Sequence, residues 1–139
     1  MMYKVNVIEK FIEIINDELY EEIGDRLYNS DAVCYFMNGG CFQFVEIMKY
    51  YFNDSIIMLN SDYTHCCIMI DNNLYDASGK LNDEENYKIA NDIDLLYCKN
   101  YFGFSEYTYI NNELLVERII KSINSINFSF FSDKKLVKM

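Results

Sequence analysis

The stretch THCCIMIDNNLYDAS at residues 64–78 decides the fold, because two apolar runs flank one turn signal. The run THCCIMI predicts a β-strand, and LYDAS predicts a second strand. The residues between them, Asp71, Asn72 and Asn73, are typical of a hairpin turn, so the second strand is expected to return antiparallel to the first. Two registers remain open, with the two-residue turn at either Asp71-Asn72 or Asn72-Asn73.

Apolar residues at helical spacing predict helices on both sides of this hairpin. Asn111 or Asn112 is the expected cap of the last one. The pattern predicts helices at 5–23, 41–52, 81–90 and 115–123, and strands at 55–61, 64–70, 74–78, 95–97 and 107–110. These elements predict one α+β domain over residues 1–139, with helices packed against a small antiparallel sheet.

The chain carries a formal net charge of −10, which argues against direct binding of nucleic acid through its phosphates. No apolar run approaches the roughly 20 residues that cross a bilayer, and the N-terminus does not resemble a secretory signal. A cytoplasmic location without membrane contact is therefore expected. The abundance of Asn, Ile, Lys, Tyr and Phe is typical of AT-rich bacterial and phage genes, so a phage-encoded protein in a bacterial host cell fits the composition.

Five cysteines and one histidine limit the chemistry of the chain. No cysteine pair has CxxC spacing, and the count is odd, so neither a metal site nor a disulfide framework is predicted. No cofactor is predicted either. Cys66 and Cys67 should point to opposite faces of their strand. Together with Cys34 and Cys98, they are expected to be small core residues.

The stretch NGGCFQF at residues 38–44 places Cys41 directly after two glycines, at the start of a predicted helix. A thiol at a helix N-terminus faces unpaired backbone N–H groups and the positive end of the macrodipole, and both favour the thiolate. Gly39 and Gly40 would let a substrate approach the backbone closely and leave the Cys41 N–H free as an oxyanion donor. The alternative is a loop-to-helix joint with no chemical role.

His65 is the only histidine, and it is the candidate general base for Cys41. The alternative is a partly buried strand histidine without a role. Asp71 lies about 20 Å from His65 along an extended strand and cannot orient its ring. Asp76 falls opposite Cys67 if the turn is Asp71-Asn72, and then lies diagonally near His65. In the other register Asp76 falls opposite a residue farther along the strand, so the register decides whether Asp76 can be the third catalytic group.

The order of Cys41, His65 and Asp76 resembles the papain-like superfamily, and within it the transglutaminase-like and small bacterial or phage thiol-hydrolase branches. The motifs that carry the resemblance are GGCFQF at 39–44, a histidine ahead of an apolar strand, and LYDASG at 74–79. They cover residues 38–79, under a third of the chain. The resemblance implies a papain-like core, in which Cys41 attacks an amide or ester carbonyl, His65 transfers the proton, and Asp76 holds the imidazole.

Two departures from the papain-like pattern bear on the expected activity. No glutamine precedes Cys41, so Asn38 or a backbone N–H would have to stabilise the oxyanion, and Gln43 is expected to lie on the helix surface. The chain is also short for a peptidase with an extended cleft. That favours an amidase or deamidase acting on a protein or peptide substrate, or a domain that has kept the fold without turnover, while peptidase and transglutaminase activities stay open.

A second hypothesis places the chain among binding proteins. Small acidic phage proteins that disarm host defence resemble this chain in size and charge. Such a protein would bind and inhibit a basic host protein, for example one in a defence complex, without using Cys41. The two hypotheses differ in how much protein is needed for an effect on the target. An enzyme acts at substoichiometric amounts, and an inhibitor acts only near a one-to-one ratio.

Overall fold

Four helices and five strands form within the residues that the computed structural model describes, which are 3–23, 40–82, 86–101 and 112–125. In chain order the elements are α1 (Val5–Ile23), α2 (Cys41–Tyr51), β1 (Ile56–Asn60), β2 (Cys66–Ile70), β3 (Asn73–Asp76), β4 (Gly79–Lys80), β5 (Tyr87–Ile89), α3 (Asp92–Tyr101) and α4 (Asn112–Ser125). The expected α+β class is confirmed.

The five strands form one antiparallel sheet in the order β4-β3-β2-β1-β5. Side chains alternate between its two faces along β2. Cys66, Ile68 and Ile70 belong to the main core, where α1 and α2 pack on the sheet and α4 packs on these two helices. Cys67 belongs to a smaller cluster with Met58 on the opposite face. The two adjacent cysteines therefore point in opposite directions, as the strand period predicts.

The hairpin between β2 and β3 turns at Asp71 and Asn72, which have φ of 51° and 69°. Positive φ at both central residues is the geometry of a type I′ turn, whose twist matches that of the flanking strands. Ile70 pairs with Asn73, and Ile68 pairs with Tyr75. Of the two registers that the sequence left open, the structure has the one that brings Asp76 beside Cys67.

Edge-to-face aromatic contacts join α1 to the end of α2. The Phe11 ring lies 4.9 Å from the Tyr51 ring and 5.6 Å from the Phe52 ring, and Tyr3 packs on Phe52 at 5.1 Å. The Tyr51 hydroxyl donates to Asn124 Oδ1 on α4 at 2.7 Å. Such ring pairs add about 0.5–1.5 kcal/mol each beyond simple burial. They fix α2, and thus Cys41 at its start, against the rest of the helical layer.

Helix α1 is also bonded to the β3–β4 side of the sheet. Asn16 Nδ2 donates to the Ala77 carbonyl at 3.1 Å, and Glu9 Oε2 accepts from the Lys80 backbone N–H at 3.2 Å. Gly79 has φ of 114°, a conformation that strains any residue with a Cβ, so glycine is favoured at this turn. These contacts hold the turn that follows Asp76 against a helix.

Two predicted elements need correction. The 81–90 segment contains strand β5, which pairs with β1, in place of the predicted short helix. The predicted strand at 95–97 lies inside helix α3. Asn91 and Asp94 form a reciprocal capping box there, with Asp94 N to Asn91 Oδ1 at 2.9 Å and Asn91 N to Asp94 Oδ2 at 3.0 Å. A three-residue apolar run does not distinguish strand from helix, whereas the capping box does.

The predicted strand at 107–110 lies outside the described residues. Within the described part of the chain, no helix has the length and apolar character needed to span a bilayer.

The hairpin turn gives a first prediction. Asn72→Val should lower the free energy of unfolding by about 1–2 kcal/mol, because a β-branched residue is strained at positive φ. Urea denaturation followed by circular dichroism measures the change. Asn73→Val is the matched control, since a branched residue suits a strand position. Equal losses in the two variants would contradict a role for the turn in setting the register.

Candidate active site

Cys41 is the first residue of α2. Gly40 precedes it as the N-cap, with φ of −97°, and the Gly40 carbonyl accepts the Phe44 N–H at 3.1 Å. Because Gly40 has no side chain to cap the helix, the first-turn N–H groups lack a capping acceptor from that position. The positive end of the α2 macrodipole therefore acts on the Cys41 thiol, whose residue is 3 % exposed.

His65 lies one residue before β2, where the β1–β2 loop ends. Asn60 at the end of β1 organises this loop, since its Oδ1 accepts the backbone N–H groups of Thr64 at 2.9 Å and of His65 at 3.0 Å. The Asn60 N–H in turn donates to the His65 carbonyl at 3.0 Å. One asparagine thus fixes the backbone that carries the imidazole.

Asp76 is the last residue of β3 and contacts the His65 ring directly. The distance from His65 Nε2 to Asp76 Oδ2 is 3.1 Å, and the Asp76 side chain is 3 % exposed. Its other oxygen, Oδ1, accepts the Ser78 backbone N–H at 2.8 Å and also the Ser78 hydroxyl. Both carboxylate oxygens therefore have donors, and the carboxylate is held in one orientation.

The Cys41 thiol lies close enough to His65 and to Cys66 for both groups to lower its pKa. Because Nε2 of His65 is engaged with Asp76, Nδ1 is the ring nitrogen that remains for the thiol. Cys41, His65 and Asp76 thus form one continuous row of contacts from the start of α2 to the end of β3. The hairpin register and the α2 N-terminus bring together three groups that are up to 35 residues apart in sequence (76 − 41).

The environment favours a thiolate–imidazolium pair. The hydrogen bond from Cys66, aided by the hydrogen bond and positive charge of His65, outweighs burial and lowers the pKa of Cys41 to about 5. Burial acts to lower the pKa of His65, but its hydrogen bonds to Asp76 and Cys41 outweigh burial and raise the pKa to about 9. Between those values Cys41 is a thiolate and His65 carries the proton.

Asp76 is ionised in the same window. Burial acts to raise the pKa of Asp76, and the hydrogen bonds from His65 and Ser78 outweigh it and lower the pKa below the ordinary value. An ionised carboxylate on Nε2 stabilises the imidazolium and fixes the Nε2–H tautomer of the neutral ring. The site can therefore generate a nucleophile and return a proton to a leaving group at neutral pH.

The remaining predicted site residues have different outcomes. Gly40 directly precedes Cys41 and is buried. Asn38 and Gly39, the other predicted oxyanion or substrate-binding residues, lie outside the described part of the chain. Gln43 was expected on the helix surface, which is wrong: it is 1 % exposed, because the first turn of α2 is buried on all sides.

Cys66 is a site residue that the sequence did not single out. It is a core residue, as expected, but its thiol also contacts Cys41. No signal in the sequence could have found this contact, because it depends on how α2 packs on β2. Among the described residues, no group of three or more His, Cys, Asp or Glu side chains is arranged to bind a metal ion.

A comparison with protein families gives one match. The model of the Phage YunG-like protein family matches residues 12–133. The chain belongs to the Phage YunG-like family. The match spans Cys41, His65 and Asp76 and all five strands of the sheet, and the family name agrees with the phage character inferred from composition. Neither the curated proteins nor the solved structures contain a significant match to this chain.

The thiolate at Cys41 gives a second prediction. Alkylation of Cys41 by iodoacetamide should rise with pH around a midpoint of about 5, because the reactive species is the thiolate. In His65→Ala the midpoint should move upward, since the hydrogen bond and positive charge are lost. Peptide mass spectrometry measures the rates, with Cys66 as the internal control because burial raises its pKa. A wild-type midpoint near 8.5, that of a free thiol, would contradict the ion pair.

The His65–Asp76 contact gives a third prediction. Asp76→Asn should lower the pKa of His65 from about 9 towards about 6.5, because the negative charge on Nε2 is removed. His65 is the only histidine, so its ring-proton signals in an NMR titration are unambiguous. Asp62→Asn, in the exposed loop before His65, is the control and should leave the titration unchanged. An equal shift in both variants would mean that the overall negative charge of the protein, and not the contact with Asp76, sets the pKa of His65.

Proposed function

We propose that the protein is a cysteine hydrolase or acyl transferase that acts on an amide bond, with Cys41 as nucleophile, His65 as general acid and base, and Asp76 as the group that orients His65. The observation that carries the proposal is the continuous contact of the Cys41 thiol, the His65 ring and the Asp76 carboxylate. Each partner shifts the pKa of its neighbour in the direction that nucleophilic catalysis needs.

In the first step the Cys41 thiolate attacks the amide carbonyl and forms a tetrahedral intermediate. The negative charge that develops on the carbonyl oxygen needs donors, and the Cys41 N–H at the start of α2 is one candidate. Asn38 and Gly39 remain predicted contributors on sequence grounds alone. Collapse of the intermediate breaks the C–N bond, and His65 gives its proton to the leaving amine.

In the second step the neutral His65 takes a proton from water or from an acceptor amine, which attacks the thioester. The C–S bond breaks and the Cys41 thiolate is restored beside the imidazolium. Asp76 stays ionised throughout and keeps Nε2 protonated, so that the other ring nitrogen exchanges the proton with the reacting groups. A water acceptor gives hydrolysis, and an amine acceptor gives acyl transfer.

A papain-like core is part of the proposal. Its support is the arrangement of a cysteine at a helix N-terminus, a histidine at the start of a strand, and an aspartate on the next antiparallel strand. The cysteine-bearing helix α2 packs directly on β2. The chain order Cys41, His65, Asp76 is the order in which the resemblance expects these groups.

The burial of the site favours a small reacting group. Cys41 is 3 % exposed, and the His65 side chain is 15 % exposed. A primary amide at the end of a flexible side chain reaches such a thiol more easily than a backbone amide, which brings chain on both sides. We therefore favour deamidase or amidase activity on a protein or peptide substrate over general proteolysis.

A second candidate function is inhibition of a basic protein. Its support is the net charge of −10 together with membership of a phage-named family. Acidic surfaces steer association with basic partners, and such binding weakens as salt is added. This function would not use the row of contacts from Cys41 to Asp76.

The test of the catalytic proposal begins with an activated ester. Incubation with p-nitrophenyl acetate should give an acetyl thioester on Cys41 that intact-mass spectrometry detects and that then disappears. In His65→Ala the adduct should form slowly and persist, because both steps need the imidazole. Cys41→Ala should give no adduct. An adduct spread over several cysteines, or equal clearance without His65, would contradict the mechanism.

The same variants then separate the two candidate functions. A bacterial lysate treated with substoichiometric wild-type protein should show new carboxylates at specific glutamine or asparagine side chains, and Cys41→Ala treatment should not. An inhibitor would give identical results with both proteins and would act only near one-to-one.

A further inference from the structure

Three cysteines of the main core are buried close to one another, and the proposed mechanism uses only the first. They are Cys41 on α2, Cys66 on β2 and Cys98 on α3. Cys66 lies close enough to both Cys41 and Cys98 for each pair of thiols to shift each other's pKa. All three belong to the main core, whereas Cys67, on the same strand, belongs to the cluster on the other face.

Cys66 is the thiol that contacts the nucleophile. Both its side chain and its backbone are within hydrogen-bond reach of the Cys41 sulfur, while Cys98 bonds to Cys66. Cys66 is fully buried, and burial raises the pKa of its thiol well above the ordinary value. It therefore stays protonated and shielded from solutes, so its possible reaction partners are the neighbouring sulfurs, of which only Cys41 belongs to the proposed active site.

We propose that Cys41 also reduces hydroperoxides and that Cys66 resolves the oxidised Cys41 by forming a Cys41–Cys66 disulfide. The inference rests on the Cys41 thiolate of the proposed function, but it does not require that any amide be cleaved. Hydrogen peroxide, which is close to water in size, suits a sulfur that is 3 % exposed.

The first step is a two-electron oxidation of Cys41. The thiolate attacks one oxygen of the hydroperoxide, an S–O bond forms, and the O–O bond breaks. The released hydroxide or alkoxide takes the proton from the His65 imidazolium and leaves as water or alcohol. Cys41 is then a sulfenic acid, and His65 is neutral until it takes a proton from solvent.

The second step joins the two sulfurs. The Cys66 sulfur attacks the Cys41 sulfur, an S–S bond forms, and the S–O bond breaks. The hydroxide that leaves carries away the Cys66 proton as water. A protonated thiol is a slow nucleophile, but direct contact gives a high effective concentration. An external thiol reductant restores both cysteines.

Peptide mapping of the full-length protein after treatment with one equivalent of hydrogen peroxide tests the proposal. The wild type should lose two hydrogens and give a Cys41–Cys66 linked peptide that dithiothreitol cleaves. Cys66→Ser keeps a hydrogen-bond donor beside Cys41 but lacks the second sulfur. Its Cys41 sulfenic acid should be trapped by dimedone roughly tenfold more than in the wild type, since intramolecular capture is lost. Cys67→Ser, equally buried on the opposite face, is the matched control and should behave like the wild type.

Other linkages would overturn the proposal. A Cys66–Cys98 or intermolecular disulfide, or a wild-type Cys41 that goes directly to the sulfinic acid, excludes Cys66 as its resolving thiol. If Cys66→Ser does not fold, the linkage in the wild type decides alone. Iodoacetamide labelling in parallel tests the Cys41 thiolate separately from the Cys41–Cys66 disulfide. A fast-reacting Cys41 that forms no disulfide overturns this inference and leaves the hydrolase proposal intact. A Cys41–Cys66 disulfide without ester or amide turnover overturns the hydrolase proposal and leaves this inference intact.

Discussion

The register of the β2–β3 hairpin is the constraint on which the site depends. Asp71 and Asn72 at positive φ place Ile70 opposite Asn73, and each later pair follows from that one. A shift of one residue would move every side chain of the strand to the other face. Asp76 would then lose its position beside His65, and the Cys41 thiol would lose the imidazolium that holds it ionised.

The charged groups of this site can be buried because each of them has hydrogen-bonding or charged partners. Asp76 lies almost wholly inside the protein, yet each of its oxygens has a donor. His65 contacts an acceptor on one side and a thiolate on the other. A charge buried without such partners would cost several kcal/mol, and it would neutralise instead. The positions of Ser78 and Asn60, which hold Asp76 and the His65 backbone, are therefore as much a part of the site as the three reacting groups.

Most of the fold and part of the site could be predicted from the sequence. Helix α1 has the predicted bounds because its apolar spacing is long and regular, and the central hairpin has strong turn chemistry at Asp71 and Asn72. The sequence narrowed the hairpin register to two alternatives, because a two-residue turn can form at either end of Asp71-Asn72-Asn73. Only the φ angles of the structure decide between them. Residues 81–101 were misassigned because their apolar runs are short, and pairing with β1 overrides local preference there. The contact between Cys41 and Cys66 depends on how α2 packs on the sheet, which no local pattern encodes.

The bonds from α1 to the sheet have a consequence for how the chain folds. They join positions 61 residues apart at Asn16 and Ala77, and 68 apart at Tyr3 and Asp71. Contacts this distant in sequence form late, because the loop-closure entropy is lost before they are made. On the ribosome, α1 emerges long before its partner strands exist. Its apolar face therefore has no partner until the hairpin is synthesised, which exposes it to aggregation for longer than in a protein of the same size with local contacts.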